Sequence, residues 1–308
     1  MQQLRNLALA LCAICACGPA PNPHGGGGGD DDGNGPDAAV TVPDGKDQRC
    51  EKIDVLFVID NSGSMGQEQT NLIANFPQFI TVLNNSGLDY RVAVTTTGRN
   101  YSYTMQTPLG GFTQTISGGD DGAMLQPAQC NMQRRWIEKA DADPSGTFSC
   151  VANVGTSGPS DEMPLSAMRH AFEQQINNGT NVGFKRPDAL LGIVLLTDEE
   201  DCSYEQPVNL PFASSLCESM QEPVANYVAF LDQFTGSRTR WAAAAIAGPG
   251  PGSCSSSFGN AEEAKRLKAF VQQTGQNAVM SSICEGDLSI GLAQALAVFE
   301  SACDGIVL

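Results

Sequence analysis

Oxygen-bearing side chains gather in two stretches far apart in the chain. Asp60-Asn61-Ser62-Gly63-Ser64 follows an apolar run over residues 53–59, and Asp198 follows Leu195-Leu196-Thr197. Carboxylates and hydroxyls without thiol or imidazole form the donor set of a hard divalent cation, magnesium foremost, with calcium or manganese as alternatives. Gly63 is expected to let the loop turn tightly so that Ser62 and Ser64 face inward. Acidic residues at strand ends also cap helices, so the motif counts only together with the strand before it and the second aspartate.

Catalytic chemistry finds less support. Of the two histidines, His24 lies in a Gly-rich stretch and His170 in a helical pattern, where it reads as an ordinary helix residue. Ser62-Gly63-Ser64-Met65-Gly66 lacks the leading glycine of a nucleophile elbow. Gly248-Pro249-Gly250-Pro251-Gly252 has no lysine and its prolines remove the amides that would cradle phosphate, so it reads as a turn. The acidic run Asp30 to Asp32 lacks the later glutamate of an EF-hand loop. No catalytic or organic-cofactor residue is assigned, and the chain is read as a non-enzyme. Two alternatives stay open: a secreted hydrolase in which the ion activates water, and a structural envelope component with a vestigial ion site.

The elements that must position these residues follow from periodicity. Nearly continuous apolar runs at 53–59, 91–96, 190–197 and 241–247 have the composition of strands covered on both faces. Between them, Leu72, Phe76, Ile80 and Leu83 define a helix that contains Pro77, a potential kink. Leu165, Met168, Ala171 and Phe172 define a helix over 162–175; Ala264, Leu267, Phe270 and Val271 define one over 261–274. A short strand at 278–283 precedes a last helix over 288–303. Strands alternating with helices predict an α/β fold: a doubly wound, mostly parallel, Rossmann-like sheet with helices on both faces. Residues 98–155 read as a disulfide-pinned insertion with an antiparallel edge strand at 111–117. In such a sheet, ligands sit beyond the carboxyl ends of the strands, where Asp60 and Asp198 fall.

The N-terminus bears export signals. Arg5 and the ten-residue apolar run Leu7 to Ala16 read as a signal peptide over 1–17, too short to span a bilayer. The run ends in Ile14-Cys15-Ala16-Cys17-Gly18, which resembles a bacterial lipobox with Cys17 as the lipidated residue. This predicts a lipid anchor in the outer membrane of a bacterial cell envelope, with plain secretion as the alternative. Residues 18–49, rich in Gly and Asp, cannot bury enough apolar surface to fold and read as a tether with a reach of about 30 Å. One domain over 50–308 remains.

Setting aside Cys12, Cys15 and Cys17 from eleven cysteines leaves eight, an even number that predicts four disulfides in an oxidising compartment. Their spacing includes no C-x-x-C pair to suggest zinc. Eight cysteines allow 105 connectivities. Sequence proximity favours Cys130–Cys150, Cys202–Cys217 and Cys254–Cys284, leaving Cys50–Cys303 to close the largest loop. A net charge of −17 disfavours nucleic acid and anionic lipid as partners. It leaves an extracellular or envelope protein or polymer, with the membrane reached only through the anchor.

Taken together, Asp60-x-Ser62-x-Ser64 after the first strand and Thr197-Asp198 after a later one resemble the von Willebrand factor type A (VWA) family and its metal-ion-dependent adhesion site (MIDAS). The resemblance covers residues 52–303. It implies that Ser62 and Ser64 bind the ion directly, that Asp60 and Asp198 act largely through water, and that a partner's carboxylate fills an open position. It implies protein binding or adhesion as the function. The family usually places a threonine before the second aspartate's strand, and the matching position here is Glu162, with Thr156 and Ser160 nearby. A carboxylate there makes the site more negative and weakens its pull on an acidic partner. Glu199, Glu200 and Asp201 are expected to extend this acidic rim, favouring basic or neutral partners, or calcium over magnesium.

Overall fold

A computed structural model describes residues 50–305, apart from 206–207, 213, 216, 218–220 and 258. The expected signal peptide over 1–17, Cys17 and the expected tether over 18–49 lie outside the described residues. Those described belong to one compact unit, Lys46–Leu308.

Eleven strands occur among the described residues, in chain order: β1 (Lys52–Ile59), β2 (Asp89–Thr96), β3 (Tyr101–Thr107), β4 (Gly110–Ile116), β5 (Ile137–Glu138), β6 (Leu190–Leu196), β7 (Val208–Leu210), β8 (Trp241–Ala247), β9 (Cys254–Ser256), β10 (Gly259–Ala261) and β11 (Ala278–Ser282). Six of them form the central sheet, in the order β11-β8-β6-β1-β2-β5. All neighbours in it are parallel except the short antiparallel edge β5. The fold is therefore α/β with a mostly parallel central sheet.

Strand side chains alternate faces, and β1 shows the result. Val55, Phe57 and Ile59 enter one core with the helices Gly66–Asn85, Pro144–Val151 and Leu288–Asp304. Leu56 and Val58 enter the other with Pro164–Phe172, Val224–Thr235 and Lys265–Thr274. Both faces are covered, which is why β1, β6 and β8 read as unbroken apolar runs. Gly192 in β6 allows one close approach, since a Cβ there would meet the Phe299 ring at 3.0 Å.

Several boundaries differ from expectation. The first helix passes through Pro77 unbroken. The helix expected over 162–175 begins only at Pro164 and breaks at Glu173, so Glu162 precedes it. The one expected from 261 starts at Lys265, because Ala261 pairs in the β9–β10 hairpin. The strand expected at 111–117 is β4, an edge of a separate sheet β4-β3-β7 and not of the central one. Val224–Thr235 was not anticipated, although Val224, Tyr227, Val228 and Leu231 carry helical spacing.

All four disulfides join the expected pairs: Cys50–Cys303, Cys130–Cys150, Cys202–Cys217 and Cys254–Cys284. The first closes a separation of 253 residues, so it restricts the unfolded chain most. Four disulfides suit an oxidising extracellular or envelope setting. Among the described residues, no helix is long and apolar enough to cross a membrane.

Candidate functional site at the carboxyl edge of the sheet

β1 and β6 are parallel neighbours in register, Ile59 opposite Leu196, so the residues after them emerge at the same edge. The Asp60 amide donates to the Leu196 carbonyl at 2.9 Å, extending the pairing by one residue. That placement brings the two oxygen-rich stretches together. Ser64 Oγ donates to Asp198 Oδ1 at 3.1 Å, and the hydroxyls of Ser62 and Ser64 lie 2.9 Å apart. Asp60 Oδ1 accepts from the Ser62 amide at 2.7 Å, and Thr197 Oγ1 donates to Asp60 Oδ2 at 2.6 Å.

Glu162 arrives from the loop before the helix Pro164–Phe172. Its backbone carbonyl accepts from the Cys202 amide at 2.8 Å, while the Met163 amide donates to the Thr97 carbonyl at 3.3 Å. The Thr97 hydroxyl donates to Glu162 Oε2. Glu162 Oε1 is buried without a hydrogen-bond partner. The structure thus groups Asp60, Ser62, Ser64 and Asp198, with Glu162 beside Asp60.

Burial dominates the electrostatics. Asp60 and Glu162 are fully buried and Asp198 nearly so, while Ser64 is exposed. Burial, then the neighbouring Asp60 charge, pushes Glu162 up to about 9 and Asp198 up to about 6. The same two causes raise Glu199 to about 7. Asp60 itself is raised by burial, against hydrogen bonds from Thr197 and Ser62. Among the described residues, no Lys, Arg or His forms a salt bridge with any of these four carboxyl groups. Nor, among the described residues, are three His, Cys, Asp or Glu side chains grouped to hold a metal by themselves. Any ion here relies on hydroxyl oxygens as well.

Two expectations need correction. Gly63 has no positive φ, and a Cβ on it would meet nothing within 4 Å, so the turn does not require glycine. The tight approach is at Gly158, where a Cβ would fall on the Asn61 side-chain amide at 2.3 Å; Gly158 N–H also donates to the Asn61 carbonyl at 2.8 Å. The expected rim of Glu199, Glu200 and Asp201 is not continuous. Asp201 is fully buried and paired with Arg266 at 2.8 Å, and Glu200 accepts from the amides of Lys265 and Arg266 at a helix start. His170 lies within the helix Pro164–Phe172, as expected, and joins a half-buried charge network with Asp121 and Glu205, linked by Arg99.

Sequence reasoning missed Thr97, Gln69 and Glu68. Gln69 Nε2 donates to the carbonyls of Asp60 and Gly155, tying the first helix to the loop. Glu68 is buried with an unpartnered Oε2, and burial raises its pKa. Helical spacing gave the signal for both: Glu68 and Gln69 are polar residues on the buried side of that helix.

The sequence matches no protein-family model and no curated relative. Among solved structures, proximal thread matrix protein 1 from the mussel byssus is 13% identical at a TM-score of 0.41, covering 81% of this chain and 49% of its own. The pilus adhesin SpaC from Lactobacillus rhamnosus GG is 9% identical at 0.42, covering 81% and 31% respectively. This chain spans about half or less of each.

Proposed function

We propose that this is an exported, lipid-anchored protein with a VWA-type domain whose carboxyl edge holds one divalent cation and binds an envelope or extracellular protein or polymer beside it. The observation that carries the reading is that the buried carboxyls Asp60, Glu162 and Asp198 at this edge form no salt bridge with a cationic side chain among the described residues. Leaving buried carboxylates ionised and unpaired is costly, so such groups pair, stay protonated or coordinate metals. The residues present fit a hard cation: the Ser62 and Ser64 hydroxyls lie 2.9 Å apart, Ser64 donates to Asp198, and the Glu162 carboxyl stands beside Asp60. Magnesium is the first candidate, with calcium and manganese behind it.

Glu162 also bears on the partner. A buried carboxyl beside the ion supplies negative charge, which disfavours a carboxylate from the partner and favours a neutral or basic surface. Titration calorimetry with magnesium, calcium and manganese is expected to give binding heat for wild type and none for Asp60→Ala. Equal heats for the two would remove the site. Pull-down from envelope extract with and without chelator tests the adhesive role, and fatty-acid labelling of Cys17→Ser against wild type tests the anchor.

A further inference from the structure

The sheet β4-β3-β7 carries a surface of a different kind. No Lys, Arg, Asp or Glu occurs between Arg99 and Asp120, although the chain is 17% charged, so the whole β3–β4 hairpin is neutral. Among the described residues β4 pairs only with β3, on one side, and Gly110 to Thr115 are all exposed. The β3–β4 register runs from Tyr101↔Ile116 to Thr107↔Gly110 without a bulge. Natural edge strands are guarded by lysine, proline, bulges or covering loops. β4 has no charge, proline or bulge. Leu109 at the turn and Phe112 in the strand are exposed large apolar residues. Phe212, exposed as well, follows β7, whose parallel pairing with β3 ends it toward the same turn.

The occupant that fits is a second copy of this chain. At −17 per molecule, two copies repel wherever their acidic faces meet, and a neutral hairpin is where they approach at least cost. The strand is also self-complementary. With two residues in the turn, Thr107 and Gly110 form a hydrogen-bonded pair, and alternation then leaves the backbone groups of Gly111, Thr113 and Thr115 facing outward. We infer that β4 pairs antiparallel with β4 of a second copy about a two-fold axis at Thr113. In that register Gly110 lies opposite Ile116, Gly111 opposite Thr115, and Thr113 opposite itself. Each glycine leaves room for a branched side chain, and the outward backbone groups meet as hydrogen-bonded pairs. A single strand pair buries little surface, so the association is weak and concentration-dependent.

Sedimentation velocity on the full chain tests this, from about 10 μM to about 1 mM, a range suited to weak contacts. Wild type is expected to shift from monomer toward dimer with concentration. The shift should strengthen between about 0.05 and about 0.5 M NaCl, as screening removes the net repulsion. Thr113→Glu sets two like charges opposite each other and should remain monomeric throughout. Thr113→Pro removes an outward N–H and no backbone bond of the β3–β4 ladder, losing there only the Thr104–Thr113 hydroxyl contact, and should do the same, with an unchanged circular dichroism spectrum. Mixing Thr113→Glu with Thr113→Lys should restore a dimer at lower concentration than wild type. A wild type that stays monomeric at the highest concentration and salt overturns the inference, as does wild-type association by Thr113→Glu or no association in the mixture.

Discussion

β1 carries a buried aspartate near each end, and the chain treats them differently. At the amino end, Asp54 receives the guanidinium of Arg186 at 2.8 Å and its backbone amide at 2.6 Å. Burial raises the Asp54 pKa, and Arg186 pulls it back. Buried Asp201 is met in the same way by Arg266. At the carboxyl end, Asp60 is equally buried and is met by the Thr197 hydroxyl, the Ser62 amide and the Glu162 carboxyl, none of them a cation. Arginines meet two of these buried aspartates, while among the described residues none pairs with the third, which is where the proposed cation would complete the charge balance.

Breaking the self-sufficient end should cost most. Arg186→Met strands the Asp54 carboxylate and is expected to lower unfolding free energy by about 3–5 kcal/mol in urea titrations. Adding Asp54→Asn should recover much of that loss. At the other end the sign reverses, so Asp60→Asn should leave the metal-free protein at least as stable as wild type.

The pH course separates the ends next. Glu162, Asp198 and Glu199 hold protons to about 9, 6 and 7, whereas unfolded carboxyls release them near 4. The folded form therefore binds more protons between about pH 4 and pH 9, and metal-free stability should fall as pH rises through that window. Cations displace those protons, so the stability gap between magnesium-treated and chelator-treated protein should widen from pH 5 to pH 9. A gap constant with pH would detach the ion from these carboxyls. Asp121, pulled down to about 2 by His170 and Arg99 against burial, works in the other direction: its contribution is lost as pH falls from about 4 toward 2.

Saturating magnesium, at about 100 times its dissociation constant, should add about 2.7 kcal/mol to wild-type stability and nothing to Asp60→Asn, read by thermal melts. Glu162→Gln sharpens the comparison with a smaller effect. It keeps the shape, removes the carboxyl that would ionise on cation binding, and should weaken cation affinity about tenfold, or about 1.4 kcal/mol, by calorimetry. Unchanged affinity would leave Glu162 as a bystander held by Thr97.

Much of this was legible in the sequence, because β1, β6 and β8 are covered on both faces and their apolar runs announce it. Asp60 and Asp198 stand out as the first charges after such runs, and parallel pairing of neighbouring strands forces them to one edge. The disulfide partners followed from proximity because three of them close loops within local excursions. The destinations of the flanking charges were not legible. Nothing in Asp198-Glu199-Glu200-Asp201 says that Asp201 turns inward to Arg266, or that Glu200 caps a helix some 65 residues later. Glu162 read as a first-turn helix residue because Pro164, the actual helix start, follows so closely. The neutral hairpin was visible as composition, but its standing as an edge of a second sheet depends on β7, a three-residue strand too short to read.

The central claim is that a cation completes the charge balance at the carboxyl end of β1. Crystals soaked in manganese chloride and measured at the manganese absorption edge test it most directly. The account predicts one anomalous peak among the side-chain oxygens of Asp60, Ser62, Ser64 and Asp198, absent from Asp60→Asn crystals. A map with no peak there, or a peak that survives Asp60→Asn, contradicts it.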